Sequence, residues 1–242
     1  MTAADLERDA APTARRSAPI ARISRSALRD NAALAARALP AGLPLVGDVR
    51  GDAWGHGAHV VAEALRHAGV ERLRGDDITS PEAAVAGIAT TAEPNVDPLT
   101  VYGLPGGDLA ARPALRLSGE VLATKALRRG EGVSYGFTHR AFADTRIALI
   151  TGGYAQGIVR GLGNSASVTI AGIPHPIVGR VAMDVCVIDI GGSAVTRGAE
   201  AVYLGDPARG EPGIADWITA TGLGAAELIA VVGQRASREY VA

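Results

Sequence analysis

The residue pattern predicts an α+β protein, with a short α/β part first and a β-rich, barrel-like part after it. Two observations predict the class. Before residue 100, apolar runs of strand length alternate with stretches of helical periodicity, which is the signature of βα units around a parallel sheet. From Leu115 onward, short apolar or alternating runs are separated by Gly, Pro and charged turns, which suits an antiparallel barrel or sandwich. Pro105-Gly106-Gly107-Asp108 and Arg112-Pro113 mark a boundary between the two, giving residues 20–104 and 105–242 as the expected domains. Met1 to Pro19 is polar and charged and reads as a disordered tail, residues 1–19.

The elements follow in order. Ala21–Ile23 reads as a short strand, and Ser26 to Leu39 as a helix with Ser26 as its N-cap and Pro40 closing it. Leu43–Val46 reads as a second, buried strand. Ala58 to Ala68 is helical, with Val61, Ala64, Leu65 and Ala68 on one stripe and Gly69 ending it. Ser80-Pro81-Glu82 starts another helix through Ile88, since serine caps and proline suits the first helical position. The expected β-runs are Glu120–Leu127, Thr145–Ile150, Ala166–Ala171, Pro176–Ile190 and Glu200–Leu204. Helices over Ile214–Ala220 and Ala225–Val232 and a final run Arg238–Val241 complete the reading. A closed eight-unit barrel takes ~250 residues. At ~30 residues per βαβ unit, the stretch from 20 to 102 holds only two to four strands. A partial sheet of this kind leaves edges that this chain or another copy must cover.

Composition narrows the function classes. The chain has 242 residues and net charge −1, with 48% hydrophobic and 20% charged residues, and the balance gives no argument for a nucleic-acid or anionic-membrane partner. One cysteine, Cys186, excludes an internal disulfide and matches a reducing, cytoplasmic compartment. The opening residues have no apolar segment of the kind a signal peptide or membrane span requires. His56 has no metal-ligand spacing around it, and no metal is expected.

The chemistry-bearing motifs come in a consistent order. Val49-Arg50-Gly51-Asp52-Ala53-Trp54-Gly55-His56-Gly57 lies after the second expected strand, and Gly132-Val133-Ser134-Tyr135-Gly136 opens the β-rich part. Gly153-Tyr154-Ala155-Gln156-Gly157, Gly179-Arg180-Val181-Ala182-Met183-Asp184 and Val232-Gly233-Gln234-Arg235-Ala236-Ser237-Arg238-Glu239-Tyr240 follow. Together they resemble the alanine racemase family over about residues 100–242, and in more degraded form over 20–90. The resemblance implies a barrel plus a β domain, pyridoxal phosphate as cofactor, interconversion of L- and D-alanine, and a dimer in which one subunit's β domain completes the other's barrel.

The same resemblance assigns roles, and this chain departs from several. Arg50 stands where the family's lysine carries the cofactor, and a guanidinium has no free amine for an imine. Trp54 stands where a tyrosine contacts the cofactor phosphate. Val96 falls where an arginine faces the pyridine nitrogen, and Ala226 where a gate tyrosine stands. Tyr135 matches the second catalytic acid/base; it either retains that role toward a partner or only packs at the interface. Met183 and Asp184 match a pair bordering the substrate. Met183 also fits core packing on a strand with Val181, Val185 and Val187, and Asp184 fits a local ion pair. Arg50 is either a leftover surface arginine or an anion clamp. His56 reads as a hydrogen-bonded loop histidine or as an acid/base. Lys125, the one lysine in the chain, reads as a solvated strand residue. The expectation is therefore an alanine racemase-like protein without cofactor or racemase activity, serving as a binding and dimerising module. The alternatives are an in-trans partner lending Tyr135 to a full-length alanine racemase, or a residual pyridoxal-phosphate-dependent amino-acid isomerase.

Overall fold

The computed structural model describes residues 18–77 and 91–242. The expected helix from Ser80 to Ile88 lies outside these residues, as does the expected tail apart from its last two. Strand β1 (Ile20–Ser24) alternates half-buried and buried positions and runs straight into helix α1 (Arg25–Arg37). The N-cap is Ser24, not Ser26: Ser24 still has extended backbone, and its hydroxyl accepts from Ala27 N. β1 was expected beside the other strands of the first part. It instead pairs parallel with β12 (Ser237–Val241) and antiparallel with β4 (Leu115–Leu127), inside the large sheet of the second part. Its apolar Ala21 and Ile23 are fully buried there, a larger apolar surface than a short parallel pair offers.

The α/β part is small. β2 (Val46–Asp48) and β3 (Arg72–Arg74) form a two-stranded parallel pair. A left-handed turn, α2 (Arg50–Trp54), and helix α3 (Ala58–His67) connect them. α4 (Pro98–Tyr102) follows, with Asp97 capping it by accepting from Leu99 N and Thr100 N. α1 buries Ala27, Leu28, Ala32 and Ala35 against α3 and α4, where Asn31 ties Val101 O and Arg112 O into the packing.

The large sheet has eight strands, on a path β10-β7-β4-β11-β8-β9 with β1 and β12 attached at β4. Its members are β7 (Thr145–Thr151), β8 (Ser167–Ile170), β9 (Ile173–Pro176), β10 (Val185–Asp189) and β11 (Glu200–Leu204). A register shift between Val121 and Ala123 bends the thirteen-residue β4, so that its first half pairs with β1 and β11 and its second with β7. A bridge between Ile177 and Ile188 brings the two ends of the path together without closing the sheet. The expected single strand from Pro176 to Ile190 is therefore two strands with a turn between them. Gly179 has φ +74, and Asn164 Oδ1 accepts from its N–H, which bends the chain out of the sheet. Met183 lies in that turn and is 55% exposed, so the expected strand face of Val181, Met183, Val185 and Val187 does not form.

α5 (Ile214–Thr221) packs against α6 (Ala225–Arg235), and α6 packs against α2. One apolar core runs from Ala21 to Val232 through both parts, with Trp217, Tyr102 and Tyr203 its largest fully buried side chains. At roughly 1.5–3 kcal/mol per large apolar side chain, a continuous core of this size couples the two parts strongly. Leu127, Val133, Ala141, Ile147 and Val178 form a smaller cluster beneath a short hairpin of β5 (Gly132–Val133) and β6 (His139–Arg140). Among the described residues, no single helix is long and apolar enough to cross a membrane.

Candidate functional site

β2 delivers Asp48 and then Arg50 to the start of the left-handed turn. Gly51, Asp52 and Ala53 have φ of 60°, 54° and 53°, and Trp54 has φ 53°. Non-glycine residues in this region cost about 1–2 kcal/mol each, so the surroundings must hold the turn in place. Asp52 Oδ1 accepts from Ala58 N at 2.8 Å, Arg238 of β12 pairs with Asp52, and Asp76 Oδ2 accepts from Gly51 N at 2.7 Å. Gly55 and Gly233 let α2 and α6 touch through bare backbone: a Cβ on Gly55 would stand 2.7 Å from Gly233 Cα.

Arg50 is committed to its own neighbour. Its Nε donates to Asp48 Oδ1 at 2.9 Å and its Nη2 to Oδ2 at 2.8 Å, while its backbone N–H donates to Oδ1 at 3.0 Å. The Asp48 side chain is only 9% exposed. Its hydrogen bonds and charge, with smaller contributions from Glu93 and Asp76, raise the Arg50 pKa further and keep the guanidinium charged. The fork that suited a phosphate or carboxylate is filled by an internal carboxylate.

Behind the turn lies a ring stack. Tyr102 stacks on His56 with centroids 4.2 Å apart and tilts against Trp54 at 5.2 Å. His56 is fully buried, its Nδ1–H donates to Ala53 O at 3.0 Å, and its Nε2 has no hydrogen-bond partner among the described residues. Burial holds its pKa down at about 4, so the ring is neutral at pH 7. Val96, buried, donates its N–H to Val46 O, and the free amides of α4 beyond it are taken by Asp97.

The remaining candidates lie on the rim of the β-rich part. Tyr135 projects from the β5–β6 hairpin at 87% exposure, with Phe137 and Phe142 also exposed beside it on the same segment. Ser134 packs against the position of Gly179 in the turn that carries Met183. Asp184, for which the sequence leaves a place beside the substrate and a local ion pair open, accepts from Gln156 Nε2 at 2.8 Å. Lys125 is exposed on β4 and lines a cavity of about 310 Å³ with Val133, Ser134 and Leu149. No hydrogen bond, ion pair or ring contact among the described residues joins Arg50 or Trp54 to Tyr135, Met183 or Asp184. The link between them is indirect. α6 touches the Arg50 turn through Gly233, and its Arg235 donates to Ala155 O beside Gln156. The sequence reading missed the roles of Asp48, Asp97 and Tyr102. The signal for Asp48 was present as an acidic residue two positions before Arg50, the spacing of a local side-chain turn.

A mixed α+β architecture with an unclosed β-rich half behind a short βα part defines the class of protein. A family model for the alanine racemase C-terminal domain matches residues 114–240. Alanine racemase from Streptomyces coelicolor is 36% identical over 165 residues, covering 68% of this chain and 40% of that protein. Among solved structures, alanine racemase from a D-cycloserine-producing Streptomyces lavendulae superposes with TM-score 0.79 at 23% identity, over 94% of this chain and 98% of that one. Alanine racemase from Bartonella henselae with covalently bound pyridoxal phosphate superposes with TM-score 0.78 at 16% identity, over 93% of this chain and 99% of that one. The chain belongs to the alanine racemase family. It spans about 40% of the length of the curated relatives it matches.

Among the described residues, those at the matched positions do not fit pyridoxal phosphate. Arg50 has no primary amine, and its fork is filled by Asp48. Val96 offers the pyridine nitrogen no polar partner. Lys125 lines a separate cavity that no residue of the Arg50 turn reaches.

Proposed function

We propose that this chain is an alanine racemase relative without racemase chemistry, acting as a binding and dimerising module built on its β-rich half, residues 105–242. The observation that carries the reading is the Arg50–Asp48 pair, which puts a neutralised guanidinium where the family chemistry needs an amine. The surface left for association is the apolar rim of Tyr135, Phe137, Phe142 and Met183, all more than half exposed. A homodimer through this rim, without nucleic acid or membrane, completes the reading. Its setting is the cytoplasm, in keeping with a lone buried Cys186 whose thiol burial pushes up to about 12.

A second reading is favoured by the exposure of Tyr135: the chain lends this phenol, with Met183 and Asp184 beside the substrate, to the barrel of a full-length alanine racemase. A residual pyridoxal-phosphate isomerase using Arg50 as an anion clamp is disfavoured because Asp48 already occupies the clamp.

The test is incubation with pyridoxal phosphate, borohydride reduction and peptide mass mapping, with solvent-deuterium exchange at Cα of L- and D-alanine measured in parallel. No imine absorption, no adduct and no exchange are expected. An adduct on any residue, or exchange by the protein alone, overturns the inactive reading. Light scattering should give a dimer mass that Tyr135→Ser shifts toward monomer, and a monomer at all concentrations refutes dimerisation. A full-length racemase whose kinetics change on adding this chain, but not its Tyr135→Ser variant, would establish the second reading.

A further inference from the structure

Between the loop 103–113 and the turn that follows β11 lies a cavity of about 450 Å³. Its wall is mostly apolar, with Tyr102, Leu104, Leu115, Leu204, Ile214 and Ile229 as the larger contributors. Leu109, wholly exposed, stands at its mouth. The charged groups around it are already committed. Asp108 Oδ1 accepts from Ala110 N, Asp206 Oδ1 accepts from Ala208 N, and Arg112 pairs with Asp30. Arg112 being paired, an anionic ligand would find no free counter-charge in this wall.

His56 also lines the cavity. Its Nδ1 donates to Ala53 O, so the proton of the neutral ring is on Nδ1 and Nε2 carries an acceptor lone pair with no partner. Stacking on Tyr102 fixes the ring, and the Tyr102 hydroxyl points to Asp48 O instead of to His56. A fully buried acceptor left unpaired is unfavourable, and the described residues supply no donor for it.

We propose that this cavity binds a neutral, mainly apolar small molecule bearing one N–H or O–H donor, which His56 Nε2 accepts. The size and lining match the general character of small-molecule sites: an apolar body with a single orienting polar group. The site owes nothing to the Arg50 turn's lost chemistry and stands whether or not the chain dimerises.

Indole and 1-methylindole make the test, since they differ in the one donor. Titrated into the full chain labelled with ¹⁵N-histidine, indole should bind with 1:1 saturation and move the His56 Nε2 resonance. 1-Methylindole should bind roughly fivefold or more weakly, the factor expected for one net hydrogen bond. His56→Phe keeps the stacked ring, removes the acceptor and should abolish the discrimination. Ala215→Trp, at an exposed position on the cavity wall, should weaken indole binding at least as much with unchanged circular dichroism. The proposal fails if indole does not saturate, if the two probes bind the wild type equally, if the His56 resonance stays fixed at saturation, or if Ala215→Trp binds indole undiminished.

Discussion

Acid should unfold this protein through His56 before it does so through the carboxylates. In the folded chain burial holds the imidazole at about 4, against 6.5 for an unperturbed histidine. The folded state therefore resists the proton that the unfolded chain accepts, and stability rises with pH across this window. Above 6.5 neither state binds the proton and the contribution is complete. Between 6.5 and 4 the unfolded chain alone is protonated, so stability falls by about 1.4 kcal/mol per pH unit. Below 4 both states are charged and the loss levels off at about 3 kcal/mol, a large part of a domain's typical ~5–15 kcal/mol.

The assay is urea denaturation at half-unit steps from pH 7.5 to 3.5, for the wild type and for His56→Phe. The variant leaves Ala53 O without its donor, which costs about 1–3 kcal/mol at every pH. That offset does not alter the slope. The gap between the two stabilities should close and then vanish or reverse as pH falls from 6.5 to 4, the wild type losing about 3 kcal/mol more than the variant. Parallel curves through that window would refute the claim that His56 is buried neutral and uncompensated.

Other outcomes follow from single positions. Ala171 and Gly172 form the two-residue turn between β8 and β9 with φ of 50° and 78°, so the exposed Ala171→Asn should raise stability by about 0.5–1 kcal/mol in a denaturant titration. Gly233→Ala puts a methyl group into the Gly55 backbone and should cost more than about 2 kcal/mol, read as a lowered melting temperature. The Cys186 thiol, buried and donating to Gly152 O, should resist iodoacetamide in the native protein and react only once denatured; labelling at the native rate of a free thiol would refute its placement. Arg50→Lys, treated with pyridoxal phosphate and borohydride, should still give no adduct at position 50, because the new ammonium faces the nearly buried Asp48 carboxylate, which holds it protonated.

Much of the architecture is legible in the chain because periodicity reports burial. The Glu200–Leu204 strand, the helix starting at Ala58 and the helices starting at Ile214 and Ala225 sit where apolar spacing places them. The misplacements share one cause: local pattern does not reveal the partner. β1 looks like any short apolar strand, and only pairing with β12 and β4, roughly a hundred or more residues away, assigns it to the large sheet. Pro176–Ile190 reads as one strand because Val181, Met183, Val185 and Val187 keep alternating apolar spacing through a turn that Gly179 and Asn164 impose. The candidate site was partly legible. A motif names Arg50, Trp54, Tyr135, Met183 and Asp184, but not Asp97 at the start of α4, nor the unpaired His56 nitrogen, which exists only because Ala53 O takes the other one.

Asp48 changes how the loss at position 50 should be understood. Were Arg50 alone the departure, its guanidinium would be a free cation at the head of a left-handed turn, open to any phosphate or carboxylate. A carboxylate two residues earlier, 9% exposed and meeting the guanidinium through both oxygens, removes that option. Asp97 does the same to the amides of α4 by supplying its own anion. The Arg50 fork and the α4 amides are thus satisfied from within the chain. The Asp97 carboxylate also leaves a local negative charge that an incoming phosphate would meet. The two carboxylates thus have the same electrostatic consequence, whereas the cavity beside His56 keeps a mostly apolar wall and an unpaired acceptor among the described residues.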